Sequence, residues 1–344
     1  MTPLVSILIP AYNAEALIGE TIESALGQTW PNKEIIVVDD GSTDGTLAVA
    51  RRFASQGVHV VSQSNQGAAA ARNHAYALSK GEYIQWLDAD DLLAADKISQ
   101  QMNLAIEIQN RRTLLSACWG HFYFRKERAR FRQNALWCDL SPKDWLCRKM
   151  GDGYFMQTAT WLVSRELAQA AGPWDTTLLG DDDGEYFCRV LLASDGVRFV
   201  SASRVYYRET DSSRLSYVGR SVRKLEAHFR SMQLHIGYLR SLTDDEWTRK
   251  ACLRYLQRYL FYFYGELPSI VRQMESLAVE MGGTLSPPHA RWKYRWIQKL
   301  FGWNAAKRAQ FFLPKVRATL ARKWDKALYR RKPRGASPVP ARSP

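Results

Sequence analysis

Short apolar runs alternate with helical segments over the first quarter of the chain, and this alternation constrains the fold more than any other feature. The apolar runs predict strands at residues 4–9, 34–38, 58–61 and 83–87. The intervening segments have helical periodicity at residues 15–26, 43–54 and 66–78. Strands that alternate with helices form a mainly parallel sheet with helices packed on its faces. The sequence therefore predicts an α/β fold.

Polar residues follow three of the predicted strands at the point where each strand ends. They are Tyr12-Asn13, Asp39-Asp40 and the run from Asp88 to Asp91. Ligands of open α/β sheets bind at the carboxyl ends of the strands, so a nucleotide-sized ligand would contact all three groups.

The run Asp88-Ala89-Asp90-Asp91 places three carboxylates within four positions. Such carboxylates repel one another, and a Mg²⁺ or Mn²⁺ ion that also binds a substrate diphosphate would offset the repulsion. The alternative is a solvated loop in which Asp90 or Asp91 caps a helix that begins near Leu92.

The sequence contains neither G-x-G-x-x-G after the first strand nor G-x-x-x-x-G-K-[ST]. These absences argue against a nicotinamide oxidoreductase and a P-loop kinase.

Four motifs in this order and spacing carry a resemblance to a known family. They are Pro10-Ala11-Tyr12-Asn13-Ala14-Glu15, Val38-Asp39-Asp40-Gly41-Ser42-Thr43-Asp44-Gly45-Thr46, Asn65-Gln66-Gly67 with Ala71-Arg72-Asn73, and Leu87-Asp88-Ala89-Asp90-Asp91. Together they resemble the family 2 glycosyltransferases of the GT-A fold, a Rossmann-like, mostly parallel sheet flanked by helices. The resemblance covers about residues 4–207. It implies a nucleotide-sugar donor, for which a UDP-sugar is the first candidate. It also implies a divalent cation (Mn²⁺ or Mg²⁺) and inversion at the anomeric carbon.

The resemblance also implies roles for individual residues. Around the nucleobase and ribose it places Pro10, Tyr12 and Asp40, with Asp40 accepting a hydrogen bond from a base N–H. It places Asp88 near the ribose and the metal, makes Asp90 a metal ligand, and lines the donor pocket with Asn65, Gly67 and Arg72. The alternative for Arg72 is an arginine on a helix surface.

A second acidic cluster, Asp181-Asp182-Asp183, precedes a predicted helix at residues 184–192. It is similar to the family's acidic pair, which an arginine follows six residues after the second member. Counting back from Arg189 makes Asp183 the general base, which takes the proton of the acceptor hydroxyl. The resemblance places Asp182 and Trp174 on the acceptor side. The alternatives are acids that stabilise a helix N-terminus, and a tryptophan of the core.

The remaining patterns predict further elements. Strands are expected at residues 114–124 and 158–163, and a helix capped by Ser164 at residues 165–171. Long helices are expected at residues 220–242, 244–265 and 268–281, and near residues 211–216 we expect a mobile loop that closes as a lid over the donor diphosphate. The organisation expected is a transferase domain at 1–215, a helical extension at 216–288, a basic aromatic segment at 289–330 and a disordered tail at 331–344.

The charge of the chain is concentrated near its C-terminus. The formal net charge is +14, and residues 291–334 contain fifteen Lys or Arg and one acid, Asp325. Four tryptophans lie in the same segment: Trp292, Trp296, Trp303 and Trp324. This composition favours attachment to an anionic membrane surface, with nucleic-acid binding or ordinary core packing as alternatives. No signal peptide or transmembrane run is evident, and the five scattered cysteines suit a reducing compartment.

The sequence as a whole predicts an inverting, metal-dependent glycosyltransferase with a basic helical extension. Its partners would be a nucleotide-sugar donor, a glycan or lipid-linked acceptor and an anionic membrane, with no nucleic acid. The expected place is the cytoplasm, at the inner face of the plasma membrane, in the synthesis of a cell-surface polysaccharide. Two alternatives are a nucleic-acid-binding protein that uses the basic region and a sugar nucleotidyltransferase. The latter lacks its basic, glycine-rich phosphate loop here.

Overall fold

The computed structural model describes residues 2–210 and 221–330. A five-stranded sheet contains β1 (Val5–Ala11), β2 (Lys33–Asp39), β3 (Val58–Ser62), β4 (Tyr83–Trp86) and β8 (Val163–Ser164). The strand order is β3-β2-β1-β4-β8; β1 to β4 are parallel, whereas β8 is antiparallel to β4. Every residue of β1, the central strand, is buried. The predicted, mainly parallel sheet is confirmed.

Three helices connect the parallel strands: α1 (Ile18–Leu26), α2 (Thr46–Arg51) and α3 (Ala68–Leu78). All three lie where helices were predicted. Helix α2 begins three residues later than expected because Asp44 forms a turn before it. The Asp44 Oδ1 atom accepts hydrogen bonds from the Thr46 backbone N–H at 3.0 Å and from the Thr46 hydroxyl.

A second, four-stranded sheet carries the middle of the chain. It contains β5 (Leu92–Leu93), β6 (Thr113–Phe122), β7 (Arg130–Phe131) and β9 (Gly196–Arg208), in the order β5-β9-β6-β7. The predicted strand at 114–124 is confirmed as β6, which pairs in parallel with the long strand β9. Strand β5 occupies the position near Leu92 at which the alternative interpretation of the aspartate run required a helix, so that alternative is wrong.

The predicted strand at residues 158–163 is wrong for most of its length. A single 3₁₀ turn spans Thr158–Thr160, and only Val163 of the predicted range lies in β8. Local hydrogen bonds explain the difference: Gln157 Oε1 accepts from the Ala159 backbone N–H at 2.6 Å, and the Thr160 hydroxyl donates to the Gln157 carbonyl at 2.6 Å. Side chains that bond to nearby backbone in this way compete with strand pairing.

Helices make up most of the remaining described structure. They are α4 (Lys97–Ile108), α5 (Pro142–Asp152), α6 (Arg165–Ala171), α7 (Asp182–Ala193), α8 (Val222–Leu242), α9 (Glu246–Phe263), α10 (Pro268–Glu280) and α11 (Arg295–Arg330). Ser164 caps α6 as predicted, since its hydroxyl accepts from the Leu167 backbone N–H at 3.1 Å. Helix α8 packs on α7, and α9 packs on α5, so the helical extension rests on the sheet-bearing part of the chain.

Helix α11 is interrupted at Gly302, where φ is 78° and ψ is 176°, and it contains Pro314. Within residues 2–210 and 221–330, no helix is both long and apolar enough to cross a membrane. The predicted lid loop at 211–216 and the predicted disordered tail at 331–344 lie outside the described residues.

Candidate active site

The carboxyl end of β1 presents one exposed aromatic ring. Pro10 is buried within the strand, and Tyr12, two residues later, is 52% exposed. A tyrosine has two rotatable side-chain bonds and a large apolar face, which suits it to stacking against a planar ligand. The two residues thus lie at the edge of the sheet where a nucleobase was expected.

Asp40, Asn65 and Gly67 come together at the ends of β2 and β3, as expected for one pocket. Asp40 is only 2% exposed, and its Oδ1 atom accepts from Gln66 N at 2.9 Å and from Gln63 Nε2 at 2.8 Å. Its Oδ2 atom accepts from Gly67 N at 2.8 Å, and Asn65 Nδ2 donates to the Asp40 carbonyl at 3.0 Å. The carboxylate therefore holds the turn before α3, and neighbouring groups of the described residues occupy three of its roughly four acceptor positions.

Gly67 has a backbone requirement of its own in this turn. Its φ of 92° lies in a region that residues with a Cβ rarely adopt. That conformation aims the Gly67 N–H at Asp40, so the glycine serves the pocket through its backbone.

Asp39 is a residue that the sequence analysis quoted but did not assign. It is 1% exposed, its Oδ2 atom accepts from the Ser62 hydroxyl at 3.0 Å, and its Oδ1 atom has no hydrogen-bond partner within the described part of the chain. A buried oxygen without a partner is costly, and a ligand N–H or O–H would satisfy it. The only sequence signal for this role was its place beside Asp40.

Arg72 connects the two acidic clusters. Its Nη2 atom lies 2.8 Å from Asp88 Oδ1, and its Nη1 atom lies 2.7 Å from Asp182 Oδ2. The guanidinium is buried and lies 4.4 Å from the ring centre of Trp174. Burial alone would lower the pKa of Arg72, but Asp88 and Asp182 outweigh that effect and raise it. Arg72 is thus no surface arginine, and it brings the end of β4 against the start of α7.

Asp183 lies one residue beyond this ion pair and has the environment of a general base. Burial, followed by the negative charges of Asp182 and Asp181, raises the pKa of Asp183 to about 6. The positive charge of Arg72 acts in the opposite direction. The Thr158 hydroxyl donates to Asp183 Oδ2 at 3.3 Å. A carboxyl group with a pKa this close to neutrality can accept a proton during a reaction and release it afterwards.

Asp181 stabilises the start of α7 through contacts with α8. It adopts a left-handed conformation with φ of 58°, and its Oδ2 atom accepts from the Ser231 hydroxyl of α8 at 2.7 Å. Burial alone would raise the pKa of Asp181, but His235 and Lys149 lower it on balance. Asp181 therefore stays ionised and ties the start of α7 to the helical extension.

Trp174 does not present a face to an acceptor sugar, and that expectation is wrong. The side chain is 2% exposed and stacks on Tyr186, with ring centres 4.1 Å apart and planes within 9°. The Trp174 ring also packs edge-to-face with Trp86, and the Arg72 guanidinium lies over it. The free energy gained by removing a large indole from water favours the buried position of this side chain. Trp174 is a core residue that supports Arg72.

Asp90 and Asp91 differ in their surroundings. Asp91 is fully buried, with Oδ1 accepting from Arg208 N at 2.8 Å and Oδ2 accepting from Gln157 Nε2 at 2.5 Å. Asp90 is partly exposed, and its backbone carbonyl accepts from Arg208 Nε at 2.8 Å. Arg208 also pairs with Glu20 at 2.6 Å. The buried network around Asp91 thus fixes the backbone that presents the Asp90 side chain.

The carboxylates at this edge suit a divalent cation whose coordination is completed by oxygen atoms of the substrate. Within the described residues, no three Asp, Glu, His or Cys side chains cluster tightly enough to hold a metal. Asp88 is 29% exposed at its side chain and Asp90 is partly exposed, which provides carboxylate oxygens at one edge. Mg²⁺ is commonly bound by one or two carboxylates together with substrate phosphates, so a complete protein cage is not required.

Three supporting residues carry roles that the sequence analysis missed. Arg208 and Gln157 hold Asp91, and Thr158 donates to Asp183. Arg208 had a weak signal, as a basic residue at the end of an aromatic strand, whereas Gln157 and Thr158 had none. Arg189, used for the register of the acids, does not enter the site; it pairs with Glu185 at 2.7 Å.

Comparisons with known proteins concern the family and the fold. The family model described as Glycosyl transferase family 2 matches residues 6–168. An uncharacterized glycosyltransferase of Rickettsia typhi is 31% identical over 256 residues, covering 71% of this chain and 74% of that protein. The Escherichia coli UDP-Glc:alpha-D-GlcNAc-diphosphoundecaprenol beta-1,3-glucosyltransferase is 38% identical over 125 residues, covering 36% of this chain and 48% of that protein.

Among solved structures, Staphylococcus aureus TarS 1-349 in complex with UDP-GlcNAc is similar in fold. Its TM-score is 0.65 at 17% identity, and the match covers 80% of this chain and 81% of that one. At this identity the likeness concerns the arrangement of strands and helices.

Proposed function

The chain belongs to glycosyl transferase family 2, and we propose that it moves a sugar from a UDP-sugar to a hydroxyl group of a glycan or lipid-linked acceptor with inversion. The observation that carries this proposal is the position of Arg72. It binds Asp88, at the donor end of β4, and Asp182, the neighbour of the base, through two nitrogens of one guanidinium. This ion pair supports a site in which the proposed donor carboxylates lie close to the proposed base.

The proposed reaction is a single displacement. The acceptor oxygen forms a bond to the anomeric carbon as the bond from that carbon to the diphosphate breaks, and Asp183 takes the hydroxyl proton. One base is sufficient because the donor already carries a good leaving group. Asp90, with Asp88 beside it, would hold a divalent cation, which when bound offsets the charge that grows on the diphosphate.

Two observations support UDP and a lipid-linked acceptor. The TarS structure contains UDP-GlcNAc, and the Escherichia coli relative is named for UDP-Glc and a diphosphoundecaprenol acceptor. We extend both to this chain as proposals. Tyr12 offers the exposed ring for a base, and Asp39 offers a buried oxygen that has no hydrogen-bond partner among residues 2–210 and 221–330.

We also propose that α11 attaches the enzyme to an anionic membrane. Leu313, Val316, Leu320 and Trp324 are 49%, 39%, 63% and 70% exposed, and their spacing of three or four residues puts them on one face of the helix. Arg317 and Lys323 flank that face. Apolar side chains bordered by basic residues suit the boundary of an anionic bilayer. A membrane-bound enzyme would meet a lipid-linked acceptor without diffusion through solution.

A thermal-shift titration tests the donor site. UDP with Mn²⁺ should raise the melting temperature of the full-length protein, and EDTA should reverse the effect, because a ligand that binds only the native state stabilises it. Asp90→Ala should lose the metal-dependent part, whereas Asp152→Ala, at an exposed carboxylate of α5, should keep it. No protection of the wild type by UDP contradicts the donor proposal, and full protection of Asp90→Ala contradicts the metal assignment.

A further inference from the structure

A cavity with a volume of about 210 Å³ lies between the end of β6 and the segment that follows α5. Six of its lining residues matter here: Trp119, His121, Arg132, Asn134, Tyr154 and Phe155. Pockets for drug-sized molecules measure about 300–1,000 Å³, so this one suits a single small ring.

Aromatic rings form one wall of the cavity. Phe155 is 48% exposed, and its ring centre lies 4.8 Å from that of Trp119, which is 6% exposed. Tyr207 of β9 supports Trp119 edge-on at 5.8 Å. A large exposed phenyl ring that rests on a buried indole is a rigid platform with an apolar face. A ligand that covered Phe155 would gain the free energy of removing that face from water.

Polar groups complete the cavity on its other sides. The indole N–H of Trp119 is buried and has no hydrogen-bond partner within the described residues. Arg132 is exposed, and Asn134, whose Oδ1 atom accepts from Leu136 N at 2.8 Å, keeps its amide donors for other partners. The buried indole N–H needs an acceptor, and a ligand rich in hydroxyl oxygens would supply one.

Short chain connections and hydrogen bonds link the lining of this cavity to the proposed reacting groups. Phe155 precedes Thr158 by three residues, and Thr158 donates to Asp183 at 3.3 Å. Three residues of extended chain span at most about 11 Å, which limits the distance between the Cα atoms of Phe155 and Thr158. The ring centre of His121 lies 4.6 Å from that of Trp119, and its Nδ1 atom lies 2.9 Å from Oε1 of Glu209, which directly follows the Arg208 that holds Asp91.

We propose that this cavity is the acceptor subsite, and that it binds one pyranose ring of the acceptor glycan. The ring lies on Phe155, its hydroxyl oxygens accept from Trp119 Nε1 and from the guanidinium of Arg132, and it holds the attacked hydroxyl towards Asp183. This assignment rests on the proposed glycosyl transfer, and it supplies the sugar-stacking group that Trp174 does not provide.

Saturation-transfer NMR on the full-length protein tests the subsite with three probes: the methyl glycosides of glucose, galactose and N-acetylglucosamine. At least one should receive saturation from the wild type. Phe155→Ala should weaken that binding about 3–10-fold, since an aromatic contact of this kind has a value near 1 kcal/mol. Phe155→Tyr keeps the ring and should bind normally, and Trp119→Phe, which removes the N–H together with part of the indole ring, should weaken binding. UDP protection in the presence of Mn²⁺ is measured on each variant in parallel.

The results separate this assignment from the proposed function. No saturation of any glycoside by the wild type, or equal binding by wild type, Phe155→Ala and Trp119→Phe, overturns the subsite while UDP protection leaves the donor site intact. Glycoside binding without UDP protection overturns the donor site and leaves the cavity as a sugar site. If Phe155→Ala loses both, the variant is misfolded, and the comparison of Phe155→Tyr with Trp119→Phe decides.

Discussion

The pKa of the Asp183 side chain sets the pH range in which the proposed reaction runs. A general base acts in its ionised form, and burial with two neighbouring aspartates raises this pKa to about 6. Turnover should therefore decline as the pH falls through about 6 and be level above it. Asp183→Asn keeps the shape without the proton acceptor and should reduce turnover by about 10²–10⁴. Initial rates of UDP release between pH 5 and 8 measure both effects.

UDP protection is the control for this variant, because Asp183 belongs to the acceptor side and donor binding should survive. The melting temperature of Asp183→Asn relative to the wild type provides a second check, and the direction of its change can be predicted. The pKa is higher in the folded state than the usual 3.8, so an ionised Asp183 destabilises the native state at neutral pH. Asp183→Asn should melt at a higher temperature than the wild type at pH 7 and not at pH 4. Normal turnover of this variant contradicts the assignment of the base.

Asp182 should influence the pH profile through its charge. It is the second cause, after burial, of the raised pKa of Asp183. In Asp182→Asn that repulsion is absent, and Arg72 keeps its opposite effect, so the acid limb of the profile should move to lower pH. The measurement is the midpoint of turnover against pH. Asp195→Asn, at a surface carboxylate paired with Arg112, is the matched control and should leave the midpoint unchanged. A midpoint that stays or rises in Asp182→Asn is evidence against this electrostatic coupling.

At the scale of elements, one acid holds the end of α11 against the body of the protein. Asp325, the only acid in the basic segment, pairs with Arg125 at 2.6 Å and accepts from the Phe124 backbone N–H at 3.0 Å. Both charged side chains are at most 20% exposed, so the pair is worth more than one in open solvent. The docked loop directly follows β6, the strand that carries Trp119 and His121.

Asp325→Ala should release the end of α11 without unfolding the rest. A hydrogen bond to a charged group contributes about 1.5–3 kcal/mol, which corresponds to about 10–100-fold faster local opening. Hydrogen exchange of amides at 315–330 should accelerate accordingly, while β1 to β4 stay protected. Lys323→Ala, at an exposed position of the same helix, should change neither region. Unchanged exchange at 315–330 in Asp325→Ala shows that the ion pair does not hold the helix.

At the scale of the whole molecule, the two faces of α11 have different surroundings. The face with Asp325 rests on the loop after β6, and the exposed apolar face points to solvent about half a helical turn away. Binding of that second face to a bilayer would leave the docked face in place. The enzyme would then sit with the β6 end, and the cavity beside it, close to the membrane surface.

Co-sedimentation with vesicles tests this arrangement on the full-length protein. The wild type should bind phosphatidylglycerol vesicles and not phosphatidylcholine vesicles, with binding reduced by salt, since each basic residue near an anionic surface contributes about 1 kcal/mol. The double variant Leu320→Glu with Trp324→Glu should lose binding. Ala318→Glu with Ala321→Glu adds the same charge at exposed positions off the apolar face and should retain most of it. Equal loss in both double variants, or preference for RNA over vesicles, rejects membrane attachment through this face.

Local patterns in the sequence were enough to predict the four parallel strands of the first sheet. The apolar runs of β1, β2 and β4 are continuous because parallel strands are buried on both sides. Strand β9 was missed because its inward and outward residues include arginine and serine, and its pairing partner β6 is distant in sequence. The turn at Thr158–Thr160 was taken for a strand because side-chain bonds to the backbone leave no periodic signal.

The family, the fold class and the two acidic clusters could be predicted because they depend on residue types at fixed spacing along one stretch of chain. Which acids face which partners depends on how distant parts of the chain pack together. The tertiary structure buried Asp91 and Asp40 in hydrogen bonds, set Arg72 between Asp88 and Asp182, and moved Trp174 into the core. The contacts of Arg72 with Asp182 and of Asp91 with Arg208 join residues 110 and 117 positions apart, which meet only in the folded interior. Burial there determines whether a carboxylate binds, reacts or supports its neighbours.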